Sequence, residues 1–381
     1  MMYVPSKLGI GVPLLALATA AAACSVATLP ERAPSAGIDG GAPACNAPSA
    51  ETPLFDDDTG VAVDGLFVFG NRAFFSLAYE LFSVPLGGGP PTSITLGAGV
   101  AIVGGTLYTV DNHLIGTPDS DGKQSSAPAL YATPFTGISP DTGASGGGST
   151  LIQDNFVDGP TVTDGASLYV ANGTSNEVLK ITPPSTTPVT LTFDGTLSIR
   201  ALAVDATYLY AAVGETTTSS GDGVIVRMPK SDAGGPTDRL LTLPGYPDNL
   251  LVDDQALYWI DQPAVGTFGN TRVVRADLDG QNETPLVDDS NSVGSPTEIA
   301  LGPSDLYFTS DSLLARLPKA GGAIETIATD LSGAGLLQIS GADVVWVDNY
   351  YRALSSTSPT PIEALCAGSP APPDPAQNPA P

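Results

Sequence analysis

A short segment built on Leu-Tyr, two further residues that are mostly apolar, and Asp or Asn returns along this chain of 381 residues. The clearest copy is Leu257-Tyr258-Trp259-Ile260-Asp261. The copies begin at Leu66, Leu107, Leu168, Leu209, Leu257, Leu306 and Val344. Their spacing falls around the roughly 40–50-residue period at which four-stranded sheets repeat in circular arrays. The repeat therefore predicts one small sheet for each copy.

Each copy lies in a longer unit of four short segments. In the fourth unit these are Ala201–Asp205, Leu209–Val213, Val224–Pro229 and Arg239–Leu243, separated by turn residues and without any helical period. Asp residues between the first two segments, and Gly pairs between the last two, supply turn chemistry. A basic residue returns in the third segment, at Lys180, Arg227, Arg275, Arg316 and Arg352. The repeat is thus a property of the whole unit.

The composition agrees with an all-β fold. The chain has 43 Gly, 35 Pro and 42% hydrophobic residues, enough for a sizeable core but too interrupted for long helices. We predict a β-propeller of four-stranded antiparallel sheets, because neighbouring sheets in a ring cover each other's faces. Seven blades are preferred and six are the alternative.

The aromatic residues of the copies are predicted to pack between the sheets and not to form a sugar platform. They are Phe67, Tyr108, Tyr169, Tyr210, Tyr258 and Tyr307. Trp259 and Trp346 occupy the next position, which alternation along a strand places on the other sheet face.

The N-terminal residues resemble an export signal. Lys7 supplies a positive charge, and residues 8–23 form an apolar run that is too short and too poor in large side chains for a membrane span. The sequence Ala21-Ala22-Ala23-Cys24 resembles a bacterial lipobox, in which Cys24 is acylated; ordinary cleavage after Ala23 or nearby is the alternative. Ser25 after the cysteine favours the outer membrane under the sorting rule for such lipoproteins. We expect an outer-membrane lipoprotein, or a periplasmic or extracellular protein.

The chain divides into four segments. Residues 1–23 are the signal peptide, and 24–53 are a flexible tether rich in Ala, Pro, Gly and Asp. The propeller is predicted to span 54–366, and 367–381 form a disordered Pro-rich tail.

With Cys24 acylated, Cys45 and Cys366 form an even pair in an exported chain. One lies before the first blade and the other at the end of the last strand, and ring closure brings these positions together. We predict a disulfide between them; two unpaired thiols are the alternative.

The net charge of -26, from 14 basic and 40 acidic residues, argues against binding to nucleic acid or directly to anionic lipid. Contact with a membrane is expected only through the lipid anchor. The single histidine, His113, excludes a multi-histidine metal centre and is predicted to be a structural turn residue. No nucleophile elbow, phosphate-binding loop or zinc-protease motif is present.

Asp residues at the turns are candidate ligands for Ca²⁺, which prefers oxygen ligands. The candidates are Asp64, Asp164, Asp205 and Asp253, which equivalent positions in successive blades would bring around one axis. The alternative is that each carboxylate only caps its own turn.

The units contain, in order, Val-Asp, a Leu-Tyr-Trp-x-Asp-like strand, an Arg-containing strand, and Leu-Asp-Gly or Pro-Lys-x-Gly-Gly. This order resembles the YWTD class of β-propeller, especially repeats of exported bacterial propeller lipoproteins. The resemblance covers residues 60–366 and implies a binding or structural role without catalytic residues. We expect a monomeric, non-enzymatic module for a protein, peptide or glycan, with no cofactor. The alternative is a propeller hydrolase or lactonase with Ca²⁺ in the central channel.

Overall fold

The computed structural model describes a large part of the region after the predicted tether. The described residues are 52–56, 62–78, 80–111, 128–135, 138–139, 143–144, 149–154, 156, 159–172, 175–194, 198–214, 223–231, 235–263, 271–291, 293–310, 312–348 and 353–357. Apart from one 3-10 turn at Asp289–Asn291, all regular structure in these ranges is strand.

Six four-stranded antiparallel sheets, named here blades 1 to 6, are each built from strands that follow one another along the chain. Blade 1 contains β2 (Val63–Phe69), β3 (Arg72–Leu77), β4 (Glu80–Pro85) and β5 (Thr92–Leu96). Blade 2 contains β6 (Ala98–Val103), β7 (Thr106–Asp111), β8 (Ala129–Pro134) and β11 (Thr150–Gln153), with a two-stranded ribbon of β9 (Ile138–Ser139) and β10 (Gly143–Ala144) before its last strand. Blade 3 contains β12 (Thr161–Thr163), β13 (Leu168–Ala171), β14 (Glu177–Ile181) and β15 (Val189–Thr192).

The next three blades repeat the same strand order. Blade 4 contains β16 (Ser198–Val204), β17 (Tyr208–Gly214), β18 (Gly223–Pro229) and β19 (Asp238–Leu243). Blade 5 contains β20 (Tyr246–Val252), β21 (Ala256–Gln262), β22 (Arg272–Asp277) and β23 (Thr284–Val287). Blade 6 contains β24 (Pro296–Leu301), β25 (Asp305–Ser310), β26 (Leu313–Pro318) and β27 (Glu325–Thr329).

A further four-stranded sheet, named blade 7, joins the two ends of the described chain. Its strands are β28 (Gly335–Ser340), β29 (Asp343–Asp348) and β30 (Ala353–Thr357), and the fourth is β1 (Thr52–Asp56). β1 pairs antiparallel with β30, so that Thr52 lies opposite Ser356 and Asp56 opposite Ala353. The repeat pattern does not predict this exchange of an N-terminal strand into the last sheet.

The first strand of each blade contacts the first strand of the next, and β2 contacts both β6 and β28, so these inner strands close a ring around a central channel. The described residues therefore show an all-β propeller of small four-stranded sheets. Six sheets are formed by consecutive strands, and the one that contains β1 closes the ring.

The predicted register of the first unit is wrong. Leu66 and Phe67 lie in the inner strand β2, and the second strand is β3, where Ala73 and Phe74 take the positions that Leu and Tyr hold in later blades. β2 and β3 are both apolar and rich in Phe, so the hydrophobic pattern does not distinguish the first strand from the second. As a consequence, Asp64 lies within an inner strand and not in a turn.

The core lies between neighbouring blades, as predicted for the aromatic residues. Tyr210 of blade 4 packs with Leu257 and Trp259 of blade 5, and Tyr258 of blade 5 packs with Phe308 of blade 6. The remaining repeat aromatics follow the same rule: Tyr108 packs toward blade 3, Tyr169 toward blade 4, and Tyr307 and Trp346 meet between blades 6 and 7. Trp259 and Trp346 are fully buried and face the preceding blade, on the sheet face opposite the Tyr.

Candidate functional site in the central channel

Connections of different length join the strands within each blade. At one end of the ring the inner strand joins the second strand through short turns, such as 205–207, 253–255 and 302–304. At the other end, named here the long-loop end, the second strand joins the third through 112–128, 215–222 and 263–271. The name refers to blades 2, 4 and 5 only, because other long connections, such as 135–149 and 230–237, lie at the opposite end.

The inner strands are irregular in their first halves, on the side of the long-loop end. All the described blades except blade 3 carry a shift of register there. In blades 4 to 7 the shifts lie between Ile199 and Ala201, Asp248 and Leu251, Pro296 and Glu298, and Gly335 and Gln338. A β-bulge adds a residue to one strand and re-aims its side chains, and bulges are common beside active sites. Polar residues occur at or next to these shifts: Arg200, Asp248, Asn249, Glu298 and Gln338.

These residues line a cavity of about 670 Å³ along the channel. Its wall is formed by the inner strands of blades 4 to 7 together with residues 160–163 of blade 3. Leu202, Leu251 and Ile299 also border the cavity, although their side chains pack in the cores between blades. Ligand sites are typically clefts of about 300–1,000 Å³, and the volume of this cavity falls within that range.

Arg200 and Asp248 form an ion pair in the wall. Arg200 Nη2 donates to Asp248 Oδ2 over 3.2 Å, and the guanidinium lies over the ring of Tyr246 at 5.4 Å from its centroid. Gln262 Nε2 donates to the same carboxylate oxygen over 3.3 Å, and the backbone N–H of Asn249 donates to Oδ1 over 3.0 Å. Asp248 is therefore supplied with a cation and two further donors.

Glu298 is held differently. Its Oε2 accepts a hydrogen bond from Asn249 Nδ2, and Asn249 has a φ of 52°, a left-handed conformation that Asn tolerates better than most residues. Burial raises the pKa of Glu298 to about 7, and the nearby charge of Asp248 acts in the same direction, whereas the hydrogen bond from Asn249 opposes them. A carboxyl group with a pKa near neutrality in a cleft is a functional-site candidate.

Three of the Asp residues proposed as metal ligands cap the turn between the first two strands of their own blade. In each, Oδ1 accepts hydrogen bonds from two backbone N–H groups of the turn, and Oδ2 accepts one from the Tyr hydroxyl of the second strand. The pairs are Asp164 with Tyr169, Asp205 with Tyr210, and Asp253 with Tyr258. The turn geometry agrees with the Asx-turn alternative of the sequence analysis.

Two of these carboxylates are also paired with a lysine from the following blade. Lys230 Nζ of blade 4 lies 2.8 Å from Asp164 Oδ2, and Lys319 Nζ of blade 6 lies 3.1 Å from Asp253 Oδ2. Burial alone would raise the pKa of Asp164, but the hydrogen bonds from Lys230 and the turn amides hold it at about 2. Leu278 of blade 5 stands where a lysine would face Asp205. These pairs hold neighbouring blades together.

The fourth candidate, Asp64, lies apart from the other three, in β2, where partial desolvation raises its pKa. Across the described part of the chain, no group of three or more His, Cys, Asp or Glu side chains is placed to hold a metal ion.

Cys24, Cys45, Cys366 and His113 lie outside the described residues. Within the described ranges, the structure contains no helix that is long and apolar enough to cross a membrane.

The channel residues are not among the site residues predicted from the repeat. A signal was present, because each interrupts an apolar inner strand with a charge at nearly the same place in successive repeats. Arg200 and Asp248 precede their Leu-Tyr pairs by the same number of residues, and Glu298 is one residue nearer. The residue type changes from blade to blade, so a search for a recurring residue does not detect it.

Comparisons with solved structures give β-propellers. A catalytically inactive variant of virginiamycin B lyase from Staphylococcus aureus, with quinupristin, has a TM-score of 0.56 at 14% identity and covers 82% of this chain and 99% of its own. YCF48 bound to a D1 peptide has a TM-score of 0.54 at 12% identity, covering 82% and 98%. No protein-family model matches the sequence, and a search of curated proteins gives no significant match. At these identities the likeness shows the fold alone.

Proposed function

We propose that this chain is a non-enzymatic binding propeller that holds a segment of a protein or peptide partner in the channel cavity beside Arg200, Asp248 and Glu298. The observation that carries the proposal is the cavity of about 670 Å³, with polar residues set at the bulges of consecutive inner strands. A peptide is also bound by YCF48, a propeller of similar fold. The scaffold we propose is a seven-bladed, YWTD-like ring.

We further propose that the propeller is exported and anchored by acylation of Cys24, with residues 24–53 as its tether. The apolar run before Cys24 and its lipobox-like sequence support this. Growth with a labelled fatty acid should label the protein, and Cys24→Ser should remove the label. Unlabelled wild-type protein would contradict the anchor without affecting the channel site.

Binding in the channel is tested by selecting peptides from a random library on the purified protein and then measuring their affinities for two variants. Gln338→Trp places a bulky ring on the cavity wall, whereas Thr326→Trp places the same ring on an exposed position of the outer strand β27. We expect the selected peptides to lose at least tenfold in affinity for the first variant and to keep it for the second. Peptides that bind both variants equally would place binding elsewhere on the surface.

A second candidate function is the Ca²⁺-dependent hydrolysis of an ester or lactone. It is favoured by Glu298, whose pKa of about 7 suits a general acid or base. Wild-type protein and Glu298→Gln, each with and without Ca²⁺, would be compared on a panel of lactones and aryl esters. Turnover by wild-type protein that the variant lacks would favour catalysis over binding alone.

A further inference from the structure

We propose that the ligand group seated at Glu298 is a primary ammonium group, as on a lysine side chain of the partner. The proposal deepens the proposed binding function and rests on it. It assigns Glu298 as the anionic contact, with Asn249 as the residue that positions the carboxylate.

The hydrogen-bond inventory shows where a donor is needed. An ionised carboxylate offers about four acceptor sites. Asp248 receives donors from Arg200, from Gln262 and from the backbone of Asn249. From the part of the chain that the structure describes, Glu298 receives one, from Asn249. An ammonium group carries three donors and no acceptor, which matches what Glu298 lacks.

The charge inventory leads to the same conclusion. Arg200 is the cation in the wall of the cavity, and it is already paired with Asp248. Among the described residues, no basic side chain forms an ion pair with Glu298. Burying a charge without a paired cation is costly, so a large fraction of Glu298 carries a proton near neutral pH. A ligand cation would take the place of that proton.

A metal ion fits these residues less well. Ca²⁺ takes six to eight oxygen ligands, and the described residues contain no group of three acidic, His or Cys side chains placed for a metal. One of the two carboxylates, Asp248, is occupied by Arg200, and Asn249 presents its N–H, not its oxygen, to Glu298. An ammonium needs fewer acceptors than Ca²⁺, and Gln338 also lines the cavity.

The exchange of a proton for an ammonium makes binding depend on pH. The charged groups around Glu298 are Asp248 on β20 and Arg200 on β16. The neighbouring strands contribute Thr309 of β25, which lies opposite Glu298, and Gln338 of β28. Neither Thr309 nor Gln338 titrates near neutrality. With a Glu298 pKa of about 7, the ionised fraction rises about tenfold between pH 6 and pH 8. A lysine ammonium stays charged throughout this range.

The test uses Nα-acetyl-lysine methylamide as the probe and its Nε-acetylated form as the uncharged control, with binding followed by ligand-observed NMR. We expect the charged probe to bind about tenfold more tightly at pH 8 than at pH 6, and the acetylated form not to bind. In Glu298→Gln the affinity should fall and its pH dependence should vanish. Glu283→Gln, at an exposed turn position, should leave both unchanged.

A measurement on unmodified protein covers the case in which Glu298→Gln fails to fold. Carboxyl NMR should show the titration midpoint of Glu298 falling when the probe saturates the site. An unmoved midpoint, equal binding of the charged and acetylated probes, or displacement of the probe by CaCl2 at equimolar concentration would overturn the inference.

The peptide selection separates the two proposals. Selected peptides that lose affinity for Gln338→Trp but need no lysine would leave channel binding intact and refute the ammonium. Peptides whose affinity is unchanged by Gln338→Trp would refute both the channel site and the ammonium contact.

Discussion

Replacing Lys230 by Met tests whether ion pairs between blades stabilise the ring. Lys230 Nζ lies 2.8 Å from Asp164 Oδ2, and the two side chains are 21% and 14% exposed. The pKa of Asp164 is about 2 against an ordinary value of 3.8. At about 1.4 kcal/mol for each pKa unit, the donors around this carboxylate together contribute about 2 kcal/mol to the free energy of unfolding. Lys230 supplies part of this, so we expect Lys230→Met to cost about 1–2 kcal/mol at pH 7.

The pH dependence gives the sharper test. A carboxylate whose folded-state pKa is lowered stabilises the fold above its unfolded-state pKa, and this contribution is lost as pH falls through the folded-state pKa. The difference between wild-type protein and Lys230→Met should therefore be constant from pH 7 to about 5 and shrink between about pH 4 and pH 2. Urea unfolding followed by fluorescence of the two buried residues Trp259 and Trp346 measures it. An equal difference at pH 7 and at pH 2.5 would refute the ion pair as the cause.

Blade 4 supplies a matched control within the same chain. Asp205 makes the same turn and Tyr hydrogen bonds as Asp164, but Leu278 replaces the lysine. Asn at either position keeps an oxygen for the turn amides. We expect Asp164→Asn to cost more than Asp205→Asn, and the double variant Lys230→Met with Asp164→Asn to cost less than the sum of its parts. Equal costs in the two blades, or strict additivity, would contradict the argument.

Two further predictions concern backbone space and ring closure. Gly223→Ala should lower the free energy of unfolding by about 1–3 kcal/mol, because the new Cβ would lie 2.1 Å from Pro247 Cδ and 2.3 Å from Gly245 O. Gly87→Ala should be nearly neutral, because nothing lies within 4 Å of the new Cβ, and thermal unfolding of both variants measures the difference. Removing residues 1–56 deletes Leu54 from the core between blades 7 and 1 and exposes the edge of β30. The truncated protein should therefore melt at a lower temperature and aggregate more readily. An unchanged melting temperature would show that β1 is dispensable.

The repeating unit was predictable from the sequence because contacts between neighbours in a ring recur at each junction. Tyr and Trp at adjacent positions pack against opposite neighbours, and an Asp before the second strand caps the same turn in blades 3, 4 and 5. Such local requirements leave similar residues at equivalent positions in several copies.

The remaining features depend on contacts that occur once. β1 pairs with β30 across nearly the whole length of the described chain, and no local pattern in Thr52–Asp56 distinguishes it from a tether. The channel residues Arg200, Asp248 and Glu298 complement one another across blades, so each differs from its equivalents. The error in the first unit is of another kind, since two Phe-rich strands in succession fit the same pattern.

The exchange of β1 also changes the reason to expect a disulfide between Cys45 and Cys366, which remains a prediction. The ring does not depend on that bond for closure, because β1 already joins the first and last sheets by hydrogen bonds. However, Thr52 lies opposite Ser356, so the chain preceding β1 and the chain following β30 leave the sheet at the same end, within about ten residues of the two cysteines. A bond there would keep β1 from separating from β30 and would restrict the unfolded chain, which by loop entropy is worth up to about 6 kcal/mol. We therefore expect the double variant Cys45→Ser with Cys366→Ser to keep the fold and to melt at a lower temperature. The amide hydrogens of β1 and β30 should exchange faster in this variant, whereas the exchange rates in blade 5 should be unchanged. Two free thiols in denatured protein from an oxidising compartment would show that the bond does not form.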